Sequence, residues 1–423
     1  MFKQIAYTSM AIAAAFALSS PASAASGKSF YKGKTVKIIV GASSGGGYGT
    51  YARTVGRYIS EYIPGKPRII TQFMQGAASI RAANFVYNVA PQDGTVIGAV
   101  QRAIPFLPLY GKRGPKYDPQ KFNYVGSINN EVSVCVAWHT TGIKTIQDVM
   151  KKELIIGGAG ANDTENFPSA LNNILGTKFK IITGYTGVGI NLAMERKEVY
   201  GRCGWSWTSF KNQKSEWIKG KKVNILIQLS LKKLPEIGNV PLVTELAKNA
   251  EDRQIFELVF APQVMGRPFL MGPGVPADRL KTIRTAFVAV AKDPRLIKEL
   301  NKQSMDVSPV TGGEIQTIVA KAYKTPKSIV DRARESMSYK GKRIKAKIKM
   351  VKDTGTISKI IKGGRKLHMK LANGKTVKTS VSGRRTKVFI GGKKTKRKKI
   401  KMGMPCPFNY PGTGQRAKRI DCK

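Results

Sequence analysis

VGASSGGGYG, residues 40–49, follows the apolar run Val36-Lys-Ile-Ile-Val40, which has the composition of a buried strand. Gly41, Gly45 and Gly47 have the spacing G-x-x-x-G-x-G, the turn that joins the first strand to the first helix in many dinucleotide-binding oxidoreductases. Such a turn leaves backbone N–H groups free at the positive end of a helix dipole. It therefore holds a carboxylate as readily as a pyrophosphate. The stretch predicts a strand–turn–helix unit of an α/β fold, and the rest of the chain has to say what the turn binds.

The beginning of the chain argues against a nicotinamide cofactor. Lys3 gives a positive n-region, Met10 to Leu18 a short apolar h-region, and Ala22-Ser-Ala24 an A-x-A cleavage site, so a secretory signal cut after Ala24 is expected. The apolar run is too short for a membrane anchor, which needs roughly 20 residues. A periplasmic or otherwise exported protein meets little free nicotinamide. The dehydrogenase pair Tyr-x-x-x-Lys occurs three times, at Tyr62/Lys66, Tyr117/Lys121 and Tyr323/Lys327, and each copy carries a proline (Pro64, Pro119, Pro326). Proline there breaks the helical face that the pair must share. No G-K-[ST] follows the glycines, no H-E-x-x-H occurs, and the two histidines, His139 and His368, are far apart. No catalytic residue, metal site or cofactor is expected, and an exported oxidoreductase is a remote reading.

The 423 residues, 42% hydrophobic, suffice for two core-forming lobes and a smaller module. Charge divides them unevenly. Residues 338–423 carry 28 Lys and Arg against 2 Asp and Glu, whereas the preceding 337 carry 45 against 23. In that preceding body strands and helices alternate: strands at 36–40, 68–72, 95–100 and 178–183, and helices at 48–63, 78–89, 163–175, 189–196, 278–291 and 313–336. The expected division is a signal at 1–24, lobe 1 at 25–131 plus 262–337, lobe 2 at 132–261, and a basic β-rich module at 338–423.

Five segments, in order, resemble the solute-binding proteins of tripartite tricarboxylate transporters, the Bug family. They are GGGYGTYAR (Gly45 to Arg53), QGAASIRAANFVYNVAPQDGTVIG (Gln75 to Gly98), GAGANDTENFPSALNNILGTKF (Gly158 to Phe179), GYTGVGINLAMERKEVYGRCGWSW (Gly184 to Trp207) and VMGRPFLMGPGVPADRL (Val264 to Leu280). The resemblance implies a two-lobed periplasmic-binding-protein (Venus flytrap) α/β fold that closes on a small organic carboxylate and delivers it to integral membrane permease subunits. A monomer without catalysis is expected. The chain departs from the family at Gly49, where an acidic residue is usual, and at Gln75-Gly-Ala-Ala, where Pro-Gly-Ala-Gly is common.

Candidate ligand-binding residues follow the loops. In the first lobe they are Ser43, Ser44, Gly45, Gly46 and Gly47 with Tyr48, then Gly76, Ala77, Ala78 and Ser79, and Arg102 after the strand at 95–100. In the second lobe they are Ala159 and Gly160 with Asn162, Asp163 and Thr164, where Asn162 and Glu165 also have capping-box spacing. Tyr185 begins a glycine-bounded turn. Trp205 and Trp207 share a face if GRCGWSW is a strand, as cleft wall or as core.

Four cysteines allow three pairings, and export favours disulfides. Cys135 with Cys203, and Cys406 with Cys422, are the expected pairs; the alternative is buried free thiols. In the tail, KLHMKL-ANGK-TVKTSV and RTKVFI-GG-KKTKRKK read as hairpins turning at Asn373-Gly374 and Gly391-Gly392, and Arg343 to Val351 alternates basic and apolar residues. A small antiparallel module with one apolar face is expected. Its charge points to an anionic envelope polymer or to simple solvation. Nucleic acid is not expected, because Phe389, Phe408 and Tyr410 are poorly interleaved for stacking. A second function class is an exported polyanion-binding adaptor whose body no longer transports.

Overall fold

The structure is a computed structural model that describes residues 30–42, 47–160 and 162–423. The expected signal, the centre of the first glycine loop (Ser43, Ser44, Gly45 and Gly46) and Ala161 lie outside the described residues. No helix among the described residues is long and apolar enough to cross a membrane.

The first sheet starts with β1 (Thr35–Val40), continues through α1 (Gly47–Tyr58) to β2 (Arg68–Phe73), and through α2 (Ile80–Asn88) to β3 (Val96–Ala99) and β4 (Asn123–Ser127). Val36, Ile38 and Val40 are fully buried and Ile39 nearly so. Burial on both faces is what parallel pairing with β2 and β3 requires of β1. Tyr51, Ala52 and Val55 give α1 the apolar stripe that packs on this sheet.

The chain then enters the second sheet with β5 (Ser133–Trp138), α3 (Ile146–Lys151), β6 (Leu154–Gly157), α4 (Asp163–Leu175), β7 (Phe179–Thr183), α5 (Gly187–Glu195), β8 (Gly201–Ser206), α6 (Trp207–Lys219) and β9 (Val223–Leu229). Its strand order ends β7-β6-β8-β5-β9. Cys135 and Cys203, on neighbouring β5 and β8, form a disulfide. Trp207 departs from the strand expected over GRCGWSW: β8 ends at Ser206, whose hydroxyl accepts from the Ser209 amide and starts α6. The two tryptophans therefore do not form a strand face.

Helix α7 (Ala250–Val264) leads back, with Pro262 in its last turn, to β10 (Pro268–Met271), which inserts antiparallel between β3 and β4. There follow α8 (Ala277–Val290), α9 (Pro294–Asn301), β11 (Val310–Thr311), α10 (Gly312–Tyr323) and α11 (Lys327–Ser336). The helix expected at 313–336 is thus two, separated before Pro326, whose ring cannot sit in a helix interior. The last of them, α11, packs on α4 and α7.

The tail is joined to the second lobe before it becomes a module. The Tyr339 hydroxyl accepts from the Ile181 amide at 3.2 Å, and β12 (Ile344–Lys345) pairs parallel with β7. The alternating run 343–351 yields only that short strand. A separate seven-stranded sheet follows: β13 (Val351–Ile361), β14 (Lys366–Leu371), β15 (Thr376–Ser380), β16 (Lys387–Ile390), β17 (Lys393–Lys394), β18 (Pro405–Tyr410) and β19 (Arg419–Cys422). Both hairpins form, with Gly374, Gly391 and Gly392 at positive φ. The sheet is antiparallel except for β16 beside β19, because the chain from β17 to β18 carries the C-terminal strand back in the same direction as β16. Ile357, Leu367, Met369, Phe408 and Ile420 form its core, closed by the Cys406–Cys422 disulfide.

Gly204 makes the second lobe's site possible. It lies at φ +64, and a Cβ there would come 2.1 Å from the carbonyl oxygen of Asp163. Only glycine lets the first turn of α4 rest against β8. All four tryptophans, at 138, 205, 207 and 217, lie in this lobe, so their fluorescence reports its unfolding. Gly204→Ala is expected to lose about 3 kcal/mol from backbone strain and overpacking, read as a lower urea midpoint in tryptophan fluorescence; an unchanged midpoint would contradict this packing.

Candidate functional site

The carboxyl ends of β1 and β3 and those of β6, β7 and β8 supply the loops that face the crevice between the sheets, the usual place for a ligand in open α/β folds. On the first lobe, a concavity of about 340 Å³ is lined by Gly41, Tyr48, Gly76, Ala77, Ala78 and Gln101, among others. Ala77, Ala78 and Ser79 all have positive φ, at 44°, 51° and 77°. Three such residues in succession store strain of about 1–3 kcal/mol each. The Ala77 and Ala78 amides have no acceptor among the described residues. Ser79, by contrast, is fully buried: its hydroxyl donates to Gly41 O at 3.0 Å and accepts from the Gln101 amide at 3.2 Å. Among these candidates it ties loops together and is closed to a ligand.

Between the lobes lies a buried charge cluster. Arg102, its side chain 12% exposed, pairs through Nη2 with Asp163 of the second lobe and lies 3.9 Å from Glu131 through Nη1. Burial opposes its charge, but Asp163, Tyr48 and Glu131 more than offset this, so its pKa stands above the ordinary arginine value. Its amide donates to the Tyr48 hydroxyl at 3.2 Å. Arg267 reaches Glu131 at 3.3 Å and stacks its guanidinium on the Tyr48 ring at 4.5 Å. Asn129 and Glu131 sit on the crossing from β4 to β5, and Gln263 and Arg267 on the return crossing. Asn129 is fully buried with neither amide atom hydrogen-bonded, and Gln263 Oε1 and Arg267 Nε are likewise without partners. Polar atoms left in this state are places for water or for polar groups of a ligand.

The second glycine loop differs from the open anion cradle expected of it. Asn162 does cap α4, accepting from the Thr164 amide at 2.9 Å. Glu165 does not complete the box. It accepts from the Gly160 amide at 2.7 Å and from the Thr183 hydroxyl, while the cap's own N–H donates to Gly160 O at 2.7 Å. The Ala159 amide donates to Thr164 Oγ1 at 2.9 Å. The donors of Ala159 and Gly160 are therefore engaged internally, and what the loop presents to the first lobe is the Asp163 carboxylate. Tyr185 is 9% exposed with its hydroxyl near Glu198, and burial followed by that carboxylate raises its pKa. Trp205, 1% exposed, stacks on Phe210, and Trp207 donates its indole N–H to Glu236 at 2.7 Å. Both tryptophans are core.

A second clasp lies across the same crevice. Asp306, from the segment after α9, accepts from the Thr208 hydroxyl at 2.7 Å and pairs with Lys211 at 3.3 Å, both on α6. Sequence reading did not single out Glu131, Arg267, Thr208 or Asp306. Arg267 lay in one of the quoted segments; Glu131, Thr208 and Asp306 carry no local signal. A roomier apolar concavity of about 640 Å³ between α7 and α10 contains none of these residues. Replacing Asp163 with Asn should remove about 1 kcal/mol of cross-lobe attraction, given the partial exposure of that carboxylate. Small-angle scattering of the ligand-free protein should then show a larger radius of gyration, and the same for Arg102→Gln; superimposable curves for wild type and both variants would contradict the cross-lobe role.

No protein-family model matches the sequence, and no curated protein matches it. Solved structures do resemble it. A TctC solute binding protein from Polaromonas superposes with a TM-score of 0.57 at 14% identity, over 71% of this chain and 99% of that one. The periplasmic binding protein BugD gives 0.52 at 16% identity, over 72% and 98%. R. palustris Rpa4515, solved with adipate, gives 0.52 at 14% identity, over 72% and 97%. At these identities the likeness is one of fold. The chain has the two-lobed α/β fold of the TctC and BugD solute-binding proteins, with a β-rich C-terminal region.

Proposed function

We propose that this protein is an exported, monomeric receptor that captures a small organic carboxylate between its lobes and delivers it to the permease subunits of a tripartite tricarboxylate-type transporter, without catalysing a reaction. The observation that carries this reading is a set of donors grouped about Tyr48: the free amides of Ala77 and Ala78 in the concavity it lines, Arg102, whose amide bonds its hydroxyl, and Arg267, whose guanidinium stacks on its ring. Amides and guanidiniums are the donors a carboxylate takes, and neither group is a nucleophile or a general base at neutral pH. The shared fold and the adipate in one of the similar structures support it. The signal at 1–24 and the division into lobe 1, lobe 2 and basic module complete the proposal. A thermal-shift screen of the mature chain against small carboxylates tests it: a ligand at ~100 times its dissociation constant adds roughly 2.7 kcal/mol of stability, so at least one carboxylate should raise the melting temperature and NAD(P) should not. Stabilisation by a dinucleotide alone would overturn the receptor reading.

The module has its own role in this proposal, contact with an anionic envelope polymer. A concavity of about 710 Å³ is lined by Lys394, Lys396, Arg397, Lys398 and Lys399 together with Ser382, Gly383, Thr386 and Val388, and Arg397 Nε is buried there without a partner. Charge of this density binds polyanions through counterion release, which salt suppresses steeply. Changing Lys394, Lys396, Lys398 and Lys399 to Glu in the full chain should abolish salt-sensitive retention on an anionic polysaccharide and leave carboxylate affinity within about twofold, less than 0.5 kcal/mol. Equal retention in both proteins removes the polymer role.

A further inference from the structure

Three guanidiniums are buried near the crevice, and only two of them have acidic partners. Arg102 and Arg267 meet Asp163 and Glu131. Arg202, on β8, is 7% exposed and forms no ion pair among the described residues. Its Nη1 donates to Gly187 O at 2.8 Å and to Asn191 Oδ1 at 2.7 Å, and its plane lies 4.2 Å above the Trp205 ring. Nε has no partner. Nη2 lies beside Gly187, where an added Cβ would come within 3.4 Å of it. Burial alone pulls the Arg202 pKa down to about 9. A buried charge without a counter-charge is costly unless something supplies one.

The surroundings of Nη2 suit an anion. Gly187 and Val188 open the nine-residue helix α5, and their amides have no acceptor among the described residues. Thr186 caps the next amide, that of Gly189, at 3.0 Å. The positive end of the helix and an incompletely bonded guanidinium therefore meet at the same point. The acids nearby are committed elsewhere: Glu195 pairs with Lys214 at 2.5 Å, and Glu198 lies 4.0 Å from Arg196.

We propose that Arg202, with the amides of Gly187 and Val188, forms a carboxylate-binding subsite on the second lobe, which selects ligands carrying a second carboxylate. This deepens the receptor reading and rests on it. Arg202 would contribute the charge and one hydrogen bond from Nη2, while the α5 amides fix the position of the oxygens. The glycine at 187 leaves Nη2 uncrowded by a side chain, and Gln415 of the basic module, bonded to Thr186, borders the subsite.

The test uses the full mature chain as wild type, Arg202→Gln and Gly187→Pro. Proline is favoured at the first position of a helix, so Gly187→Pro removes one amide and crowds Nη2 without breaking α5. Sulfate is the first probe, titrated at constant ionic strength with tryptophan fluorescence as the readout, since Trp205 lies under Arg202. Wild type should give a saturable change, and both variants should need at least tenfold more sulfate. A response unchanged in both variants, or none in wild type, overturns the subsite. The second probe is the pair adipate and hexanoate, equal in chain length. The preference for adipate should shrink about tenfold or more in both variants with hexanoate affinity unchanged; an unchanged preference overturns the selecting role. If wild type binds neither acid nor any other carboxylate yet the sulfate response is lost in both variants, the receptor reading fails while the anion site at Arg202 stands.

Discussion

The pairing of Arg102 with Asp163 holds one lobe to the other through charges that neither lobe can satisfy alone. Arg102 is too deeply buried to keep its charge without a counter-charge, and Glu131 at 3.9 Å is shared with Arg267. The surrounding structure follows from this constraint. Gly204 allows α4 to approach β8 closely enough to place Asp163, and Asn162 caps the helix so that its first carboxylate points outward. Tyr48 receives the Arg102 amide and covers Arg267. The Arg102 and Arg267 guanidiniums are thus held in place in the ligand-free protein, which would leave little ordering to oppose the carboxylate binding proposed above.

The basic tail is mounted on the half of the crevice that would carry Arg202. Besides β12, which extends the second sheet, Gln415 accepts from the Thr186 hydroxyl at 2.7 Å and Pro411 O accepts from Arg196 at 2.8 Å. Thr186 is the cap of α5. The module therefore touches the helix whose first turn faces the third guanidinium, and the boundary suggested by charge at 338 is not where its contacts with the body end.

What the sequence disclosed was governed by neighbours in the chain. The Asn162 cap, the helix at 163–175 and the hairpins at Asn373-Gly374 and Gly391-Gly392 each depend on a few adjacent residues, and each formed. Both expected cysteine pairs formed as well. The charge cluster was hidden, because Asn129 and Glu131 meet Gln263 and Arg267 only where the two crossings run side by side. Competition for donors also defeated local reading: Glu165 had capping-box spacing, but the Gly160 amide and Thr183 hydroxyl took its carboxylate. Trp207 lies outside the strand because Ser206, within GRCGWSW, caps the helix that begins there.

Hydrogen–deuterium exchange on the full chain, with and without a stabilising dicarboxylate, examines the convergence of both lobes on one ligand most directly. Amides that donate to no acceptor in the free protein become protected when a carboxylate accepts from them. Protection should appear together at Ala77 and Ala78 on the first lobe and at Gly187 and Val188 on the second, with the β13–β19 sheet unchanged. Protection confined to one lobe, or to the basic sheet alone, would contradict a receptor that closes its two lobes around a carboxylate.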